Sequence, residues 1–153
     1  MKLDTLDELF EHGRDVAKEL FEAQGHIAPM WIAVDEEGRI FPIVAPIETD
    51  HKDEYIEAIK MIFEEKQVVR YVSLLEAWMV KSPEIPKSHL LGASLASHPD
   101  REEVIFITAE DKKGSRTGEY HILRPEHGKP KLGTFKNLGD VKNEGRFTGL
   151  LTK

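Results

Sequence analysis

The residues best suited to chemistry fall in one stretch, Ser97-His98-Pro99-Asp100-Arg101, which leads into the apolar run Val104 to Ala109. Four further residues belong with them as candidates: Glu76 and Trp78 upstream, His89 in the intervening segment, and His121 downstream. An imidazole beside a carboxylate could act as an acid–base pair, so Glu76 and His98 lining one pocket would serve as base and acid, with Trp78 as an apolar wall. His89, His98 and His121, with Asp100 able to replace one, would approach a metal-ligand set only if the segment around them folds back over the last strands. The seven histidines show no zincin spacing and no His-x-His, and scattered histidines are more often solvated, so neither a metal nor a cofactor is expected.

Serine hydrolysis is excluded more firmly. Gly92-Ala93-Ser94 is not the Gly-x-Ser-x-Gly elbow that would expose a nucleophile on a strained turn, and Ser97 lacks it as well. No phosphate-cradling glycine pattern is present either. Turn chemistry accounts for most of the Ser97–Arg101 stretch: proline presets φ, and Asp100 can accept from a nearby amide. Its residue types therefore fit a strand-entry turn as well as a site.

Positioning these residues requires a scaffold, and the chain of 153 residues is long enough for one domain over 1–153 with a single core. At 40% hydrophobic and 32% charged, the composition is globular rather than disordered. The absence of cysteine removes disulfides, thiolate metal sites and cysteine nucleophiles. No run is long and apolar enough to span a bilayer, and the start MKLDTLDELF is acidic, unlike a secretory signal; the expectation is a cytoplasmic protein without membrane contact.

Thr5-Leu6-Asp7-Glu8 has the form of a capping box, and Leu6, Leu9, Phe10, Val16, Ala17, Leu20 and Phe21 recur at helical spacing up to Gly25. Met30–Val34 and Ile40–Val44 flank a polar turn containing Gly38, which predicts a hairpin. Pro42 has no amide hydrogen, so its strand belongs at a sheet edge or a bulge. A second helix is expected from Thr49 or Asp50 to Lys66, with the stripe Tyr55, Ile56, Ile59, Ile62 and Phe63. The run Val68 to Val80 is largely apolar on both faces, which predicts a central strand. Glu76 on such a strand must be paired, with Arg70, Arg101 or Arg124 as partner, or else hold its proton more tightly.

An irregular loop over 81–101 follows, containing Pro83, Pro86 and Pro99. A hairpin of Val104–Ala109 and Gly118–Leu123 comes next, then a glycine-rich basic tail over 128–153 with a short extra strand near Thr134-Phe135 or Phe147–Leu150. The expected class is α+β, with a mainly antiparallel sheet of about five strands and two helices packed on it, in the order α-β-β-α-β-β-β. That order is similar to profilin-like and roadblock-like domains, which mostly bind other proteins or small ligands.

Three segments also carry a resemblance: Glu76-Ala77-Trp78 after Val-Arg-Tyr, His98-Pro99-Asp100-Arg101 before an apolar strand, and Ile122-Leu123-Arg124-Pro125. Over roughly residues 28–128 the pattern resembles small uncharacterised proteins of bacteria and their phages. The resemblance implies a cytoplasmic accessory protein and transfers no catalytic residue.

Charge is unevenly spread: residues 1–60 hold 6 Lys+Arg against 15 Asp+Glu, and residues 111–153 hold 10 against 5. The basic third is a weak footprint for nucleic acid. The expected function is a non-enzymatic binding or regulatory domain acting through a protein partner or self-association. The alternative from another class is a small hydrolase with a pocket of Glu76, His98, Asp100, Arg101 and His121. Nucleic-acid binding through the basic third is the weakest reading.

Overall fold

The computed structural model describes residues 3–45, 52–79, 102–139 and 150–151. Helix α1 (Leu6–Gln24) begins where expected. The Thr5 hydroxyl accepts from the Glu8 amide at 3.1 Å, and the Glu8 carboxylate accepts from the Thr5 amide at 3.1 Å. It ends at Gly25, whose φ of 77° is the left-handed conformation that glycine takes without steric cost.

Six strands follow, with one helix among them: β1 (Met30–Asp35), β2 (Ile40–Val44), α2 (Lys52–Glu65), β3 (Val68–Met79), β4 (Glu102–Asp111), β5 (Ser115–Leu123) and β6 (Lys131–Gly139). They form one sheet in the order β2-β1-β3-β4-β5-β6, and every neighbouring pair is antiparallel. The class is α+β as expected, with β3 inside the sheet. The sixth strand, β6, is the difference from the five anticipated.

Pro42 occupies the edge strand at a position that explains its tolerance. Asp35 N–H donates to the Arg39 carbonyl at 3.0 Å and Ala45 N–H to the Pro29 carbonyl at 2.9 Å. The odd-numbered residues of β2 therefore face β1 in the ladder, and the missing amide of Pro42 falls on the open side. The same placement blunts this edge against further strand pairing. The hairpin turn is tied by Asp35, which accepts from the amides of Glu37 and Arg39 at 2.9 and 2.8 Å and from Arg39 Nε at 2.8 Å. Burial pushes the Asp35 carboxyl upward, but the Arg39 side chain and the two amides outweigh it and hold it below the ordinary range.

Period-two alternation divides the side chains between two layers. On one face α1 lies over β3 to β6, and Leu9, Phe10, Ala17 and Phe21 pack on Val72, Leu74, Ile105, Ile107 and Tyr120. Gly13 lets the helix approach closely, because a Cβ there would stand 2.7 Å from Val72 Cγ2. On the other face Ile56, Ile59 and Phe63 of α2 pack on Trp31, Ala33, Val68 and Tyr71, joined by Leu150. Tyr55, expected in the stripe of α2, is instead 36% exposed. Among the described residues no helix is long and apolar enough to cross a membrane.

Candidate functional site

The sheet face opposite α1 carries the unusual chemistry. Its residues form rows across the strands, fixed by register. Ala33, Tyr71, Glu110 and Ser115 make one row; Trp31, Ser73, Thr108 and Thr117 make the next. Leu75, Phe106 and Glu119 follow, then Ala77, Val104 and His121. Among the described residues, none of β4, β5 or β6 joins the apolar cluster under α2. Polar side chains therefore stand where a second core would be expected to continue.

Tyr71 donates to Glu110 Oε2 at 2.5 Å and accepts from the Leu150 amide at 3.2 Å, which ties the C-terminal residues to the sheet. Ser73 donates to the Thr108 carbonyl at 3.3 Å. The hydroxyls of Thr108 and Thr117 are buried without a hydrogen-bond partner among the described residues. An unmet buried hydroxyl costs about 1–3 kcal/mol. Two side by side are a large burden on a fold whose total stability is of order 5–15 kcal/mol. Glu119 is fully buried, with Oε1 3.5 Å from His121 Nε2, and His121 Nδ1 is 3.6 Å from Glu102 Oε2. His121 bridges the two carboxylates from a side chain that is 30% exposed.

Glu76 lies on the other face. It pairs with Ile105, which pairs with Tyr120, so its side chain points with the α1 layer while His121 points away. The two sit back to back across the sheet and share no pocket. Glu76 accepts from the Ile27 amide at 2.6 Å and so anchors the connection from α1 to β1. Burial pushes its carboxyl above the ordinary range. The Ile27 amide, Arg124 and His26 oppose that rise, and Glu103 adds to it. Of the expected arginines, the two among the described residues are engaged elsewhere: Arg70 donates to the Leu3 carbonyl at 3.1 Å, and Arg124 pairs with Glu103. Glu76, Ala77, Glu103, Ile122 and Arg124 line a half-open cleft of 170 Å³.

Trp78 pairs through its backbone with Glu103. His89, His98, Asp100 and Arg101, and the loop 81–101 that carries them, lie outside the described residues. Among the described residues no group of three His, Asp or Glu is placed to hold a metal ion. The residues that the sequence reading did not single out are Ser73, Thr108, Thr117 and Glu119. For Thr117 and Glu119 the signal was present as polar residues at every second position of β5, in phase with His121; Ser73 on β3 and Thr108 on β4 carried no such pattern. No family model, no curated protein and no solved structure matches this chain.

Proposed function

We propose that the chain is a non-enzymatic binding domain that acts by contact with another protein, through the part of the sheet face lying beyond the cluster under α2. The observation that carries this reading is the partly exposed apolar group Leu75, Ala77 and Phe106 on central strands, bordered by the partly exposed His121 and the exposed Glu102. An apolar centre with a polar border is the composition of a recognition surface.

The state of the carboxylates also supports it. Asp35 holds a turn, Glu76 anchors the α1–β1 connection, Glu103 pairs with Arg124, and Glu110 with Tyr71. Groups that would be candidate acids and bases are engaged as ties within the scaffold. Of the hydrolase pocket's other members, His121 is separated from Glu76 by the sheet, because the two occupy opposite faces; His98, the acid–base partner expected for Glu76, lies outside the described residues. Nucleic-acid binding is weakened because Arg116 pairs with Asp7 at 2.9 Å and Arg124 with Glu103, which removes two cations from the basic third.

Phe106→Ala tests the proposal against Glu19→Lys, an exposed change on α1. With a partner recovered from the native cell and then purified, Phe106→Ala should weaken binding by roughly 30-fold, the size of a hot-spot truncation. Glu19→Lys should leave it unchanged. Equal affinity of both variants for the partner, or a wild-type chain that retains none, overturns the reading.

A further inference from the structure

The sheet has two edges, and they are built differently. At β2 the missing amide of Pro42 falls on the open side. The other edge strand, β6 (Lys131–Gly139), contains no proline. The ladder fixes which of its backbone groups point outward. The Asp111 amide donates to the Gly114 carbonyl at 3.0 Å, so the odd-numbered residues of β4 face β5. Their partners Arg116, Gly118 and Tyr120 face back toward β4, which leaves Thr117 and Glu119 to face β6. Lys136, opposite Glu119, therefore bonds inward. The amides and carbonyls of its neighbours Phe135 and Asn137 point to the open side, where no strand among the described residues pairs with them.

The bulge between Tyr120 and Ile122 decides which side chains border that edge. Phe135 pairs with Tyr120 and Leu132 with Ile122, so both stand on the α1 side and pack against its cluster. Lys131 pairs with Leu123 and Lys136 with Glu119, so both stand on the other side, and both are exposed. The edge is thus apolar along one side and cationic along the other. Residues 126–139 hold Lys129, Lys131 and Lys136 against one acid, Glu126. Arg116 and Arg124 are paired with Asp7 and Glu103, whereas these three lysines have no ion pair among the described residues.

We infer that the open edge of β6 accepts an extended acidic segment of another protein as an added strand. Its backbone would bond to Phe135 and Asn137, with acidic side chains beside Lys131 and Lys136 and apolar ones beside Leu132 and Phe135. Strand addition takes its affinity from main-chain bonds and its selectivity from alternate side chains. Charge chooses the occupant. A second copy of β6 laid antiparallel would set lysines against lysines, and like charges across a strand pair destabilise it. A nucleic acid brings negative charge but no run of amides and carbonyls to extend the ladder. An acidic strand supplies both. This edge lies apart from the Phe106 face and does not depend on it.

The test is fluorescence anisotropy of the full chain with two labelled octapeptides, one alternating Glu with Val and the other Lys with Val. The expected result is saturable binding of the glutamate peptide and about tenfold weaker binding of the lysine peptide. Asn137→Pro should bind the glutamate peptide about fivefold less tightly than Asn137→Ala, the worth of one hydrogen bond. Both variants lose the side chain, and only alanine keeps the outward amide. The double variant Lys131→Thr, Lys136→Thr should lose the preference between the two peptides.

A wild-type chain that does not bind the glutamate peptide overturns the inference, as does equal affinity for the two peptides. Equal affinity of Asn137→Pro and Asn137→Ala would mean charge attraction without strand addition. A preference that survives in the threonine variant would mean that the lysines do not select, and either result also overturns it. The wild-type and threonine measurements decide the matter even where Asn137→Pro fails to fold.

Discussion

The two faces of the sheet are built from the same strands and are unlike in chemistry. Toward α1, β4 presents Ile105, Ile107 and Ala109, all at 0% exposure; toward the other side it presents Phe106, Thr108 and Glu110. β5 repeats the division, with Tyr120 and Ile122 on the α1 side and Thr117, Glu119 and His121 on the other. Along β4 and β5 residues on both faces are withdrawn from water, but the packed apolar cluster lies on the α1 side; the apolar cluster of the opposite face lies under α2, on β1 and β3. Burial of apolar surface is what drives folding, at roughly 25 cal/mol per Å². The buried hydroxyls of Thr108 and Thr117 lower stability unless something bonds to them. Along β4 and β5 the contrast places apolar packing on one face and polar groups on the other.

Adjacent residues of β4 provide the strongest way to break that comparison. Ile107→Ala empties part of the packed layer and should cost about 2–5 kcal/mol in urea unfolding. Thr108→Ala removes one methyl, which costs about 1 kcal/mol, and one unpartnered hydroxyl, whose removal returns about 1–3 kcal/mol, so it should be neutral or stabilising. If the threonine change costs as much as the isoleucine change, the polar face is as much a structural core as its opposite, and the division fails.

Gly118 comes next in size. It lies on the α1 side of β5 under Phe10 and Phe135, where a Cβ would stand 2.9 Å and 2.3 Å from their Cζ atoms. The Phe135 ring is held on three sides, by Phe10 at 5.8 Å, by Tyr120 edge-on at 4.9 Å, and by the Arg14 guanidinium at 5.5 Å. Gly118→Ala should therefore cost about 1–3 kcal/mol as overpacking. Combining it with Phe135→Leu should restore part of the loss. A neutral Gly118→Ala in urea unfolding would show that the aromatic layer gives way, and that the α1 face is looser than its burial implies.

The elements that could be read from sequence were those with a local physical cause. The capping box at Thr5 and Glu8, the stop at Gly25 and the outward Pro42 each depend on a few neighbouring residues, and each was found as expected. β6 was legible only as a short strand near Thr134-Phe135, because its register shifts. Phe135 pairs with Tyr120 and Leu132 with Ile122, three residues apart on one strand and two on the other. Such a bulge destroys the period of two on which strand recognition depends. The hydroxyl row was illegible for a different reason. Ser73, Thr108 and Thr117 are 35 and 9 positions apart in the chain, and only the register of β3, β4 and β5 makes them neighbours. Glu76 was correctly marked as an acid needing a partner, but a side chain was expected and the partner is the backbone amide of Ile27.

Glu76 gives the smallest effect and the finest test, since it is an acid placed on the dry side. Glu76→Gln keeps an oxygen for the Ile27 amide, whereas Glu76→Ala removes it and should cost about 1 kcal/mol. The pH dependence has a definite sign. A carboxyl raised by burial binds its proton more tightly in the folded chain than in the unfolded one, where the ordinary value is about 4.3. Its contribution is full below that ordinary value and is lost as pH rises through the folded one. Urea midpoints from about pH 4 to pH 7 should therefore show Glu76→Gln gaining on the wild type as pH rises, with the two closest at the acid end. The opposite trend would mean that the Ile27 amide and Arg124 outweigh burial. The α1 side would then accommodate a charge as readily as the face that holds Glu119.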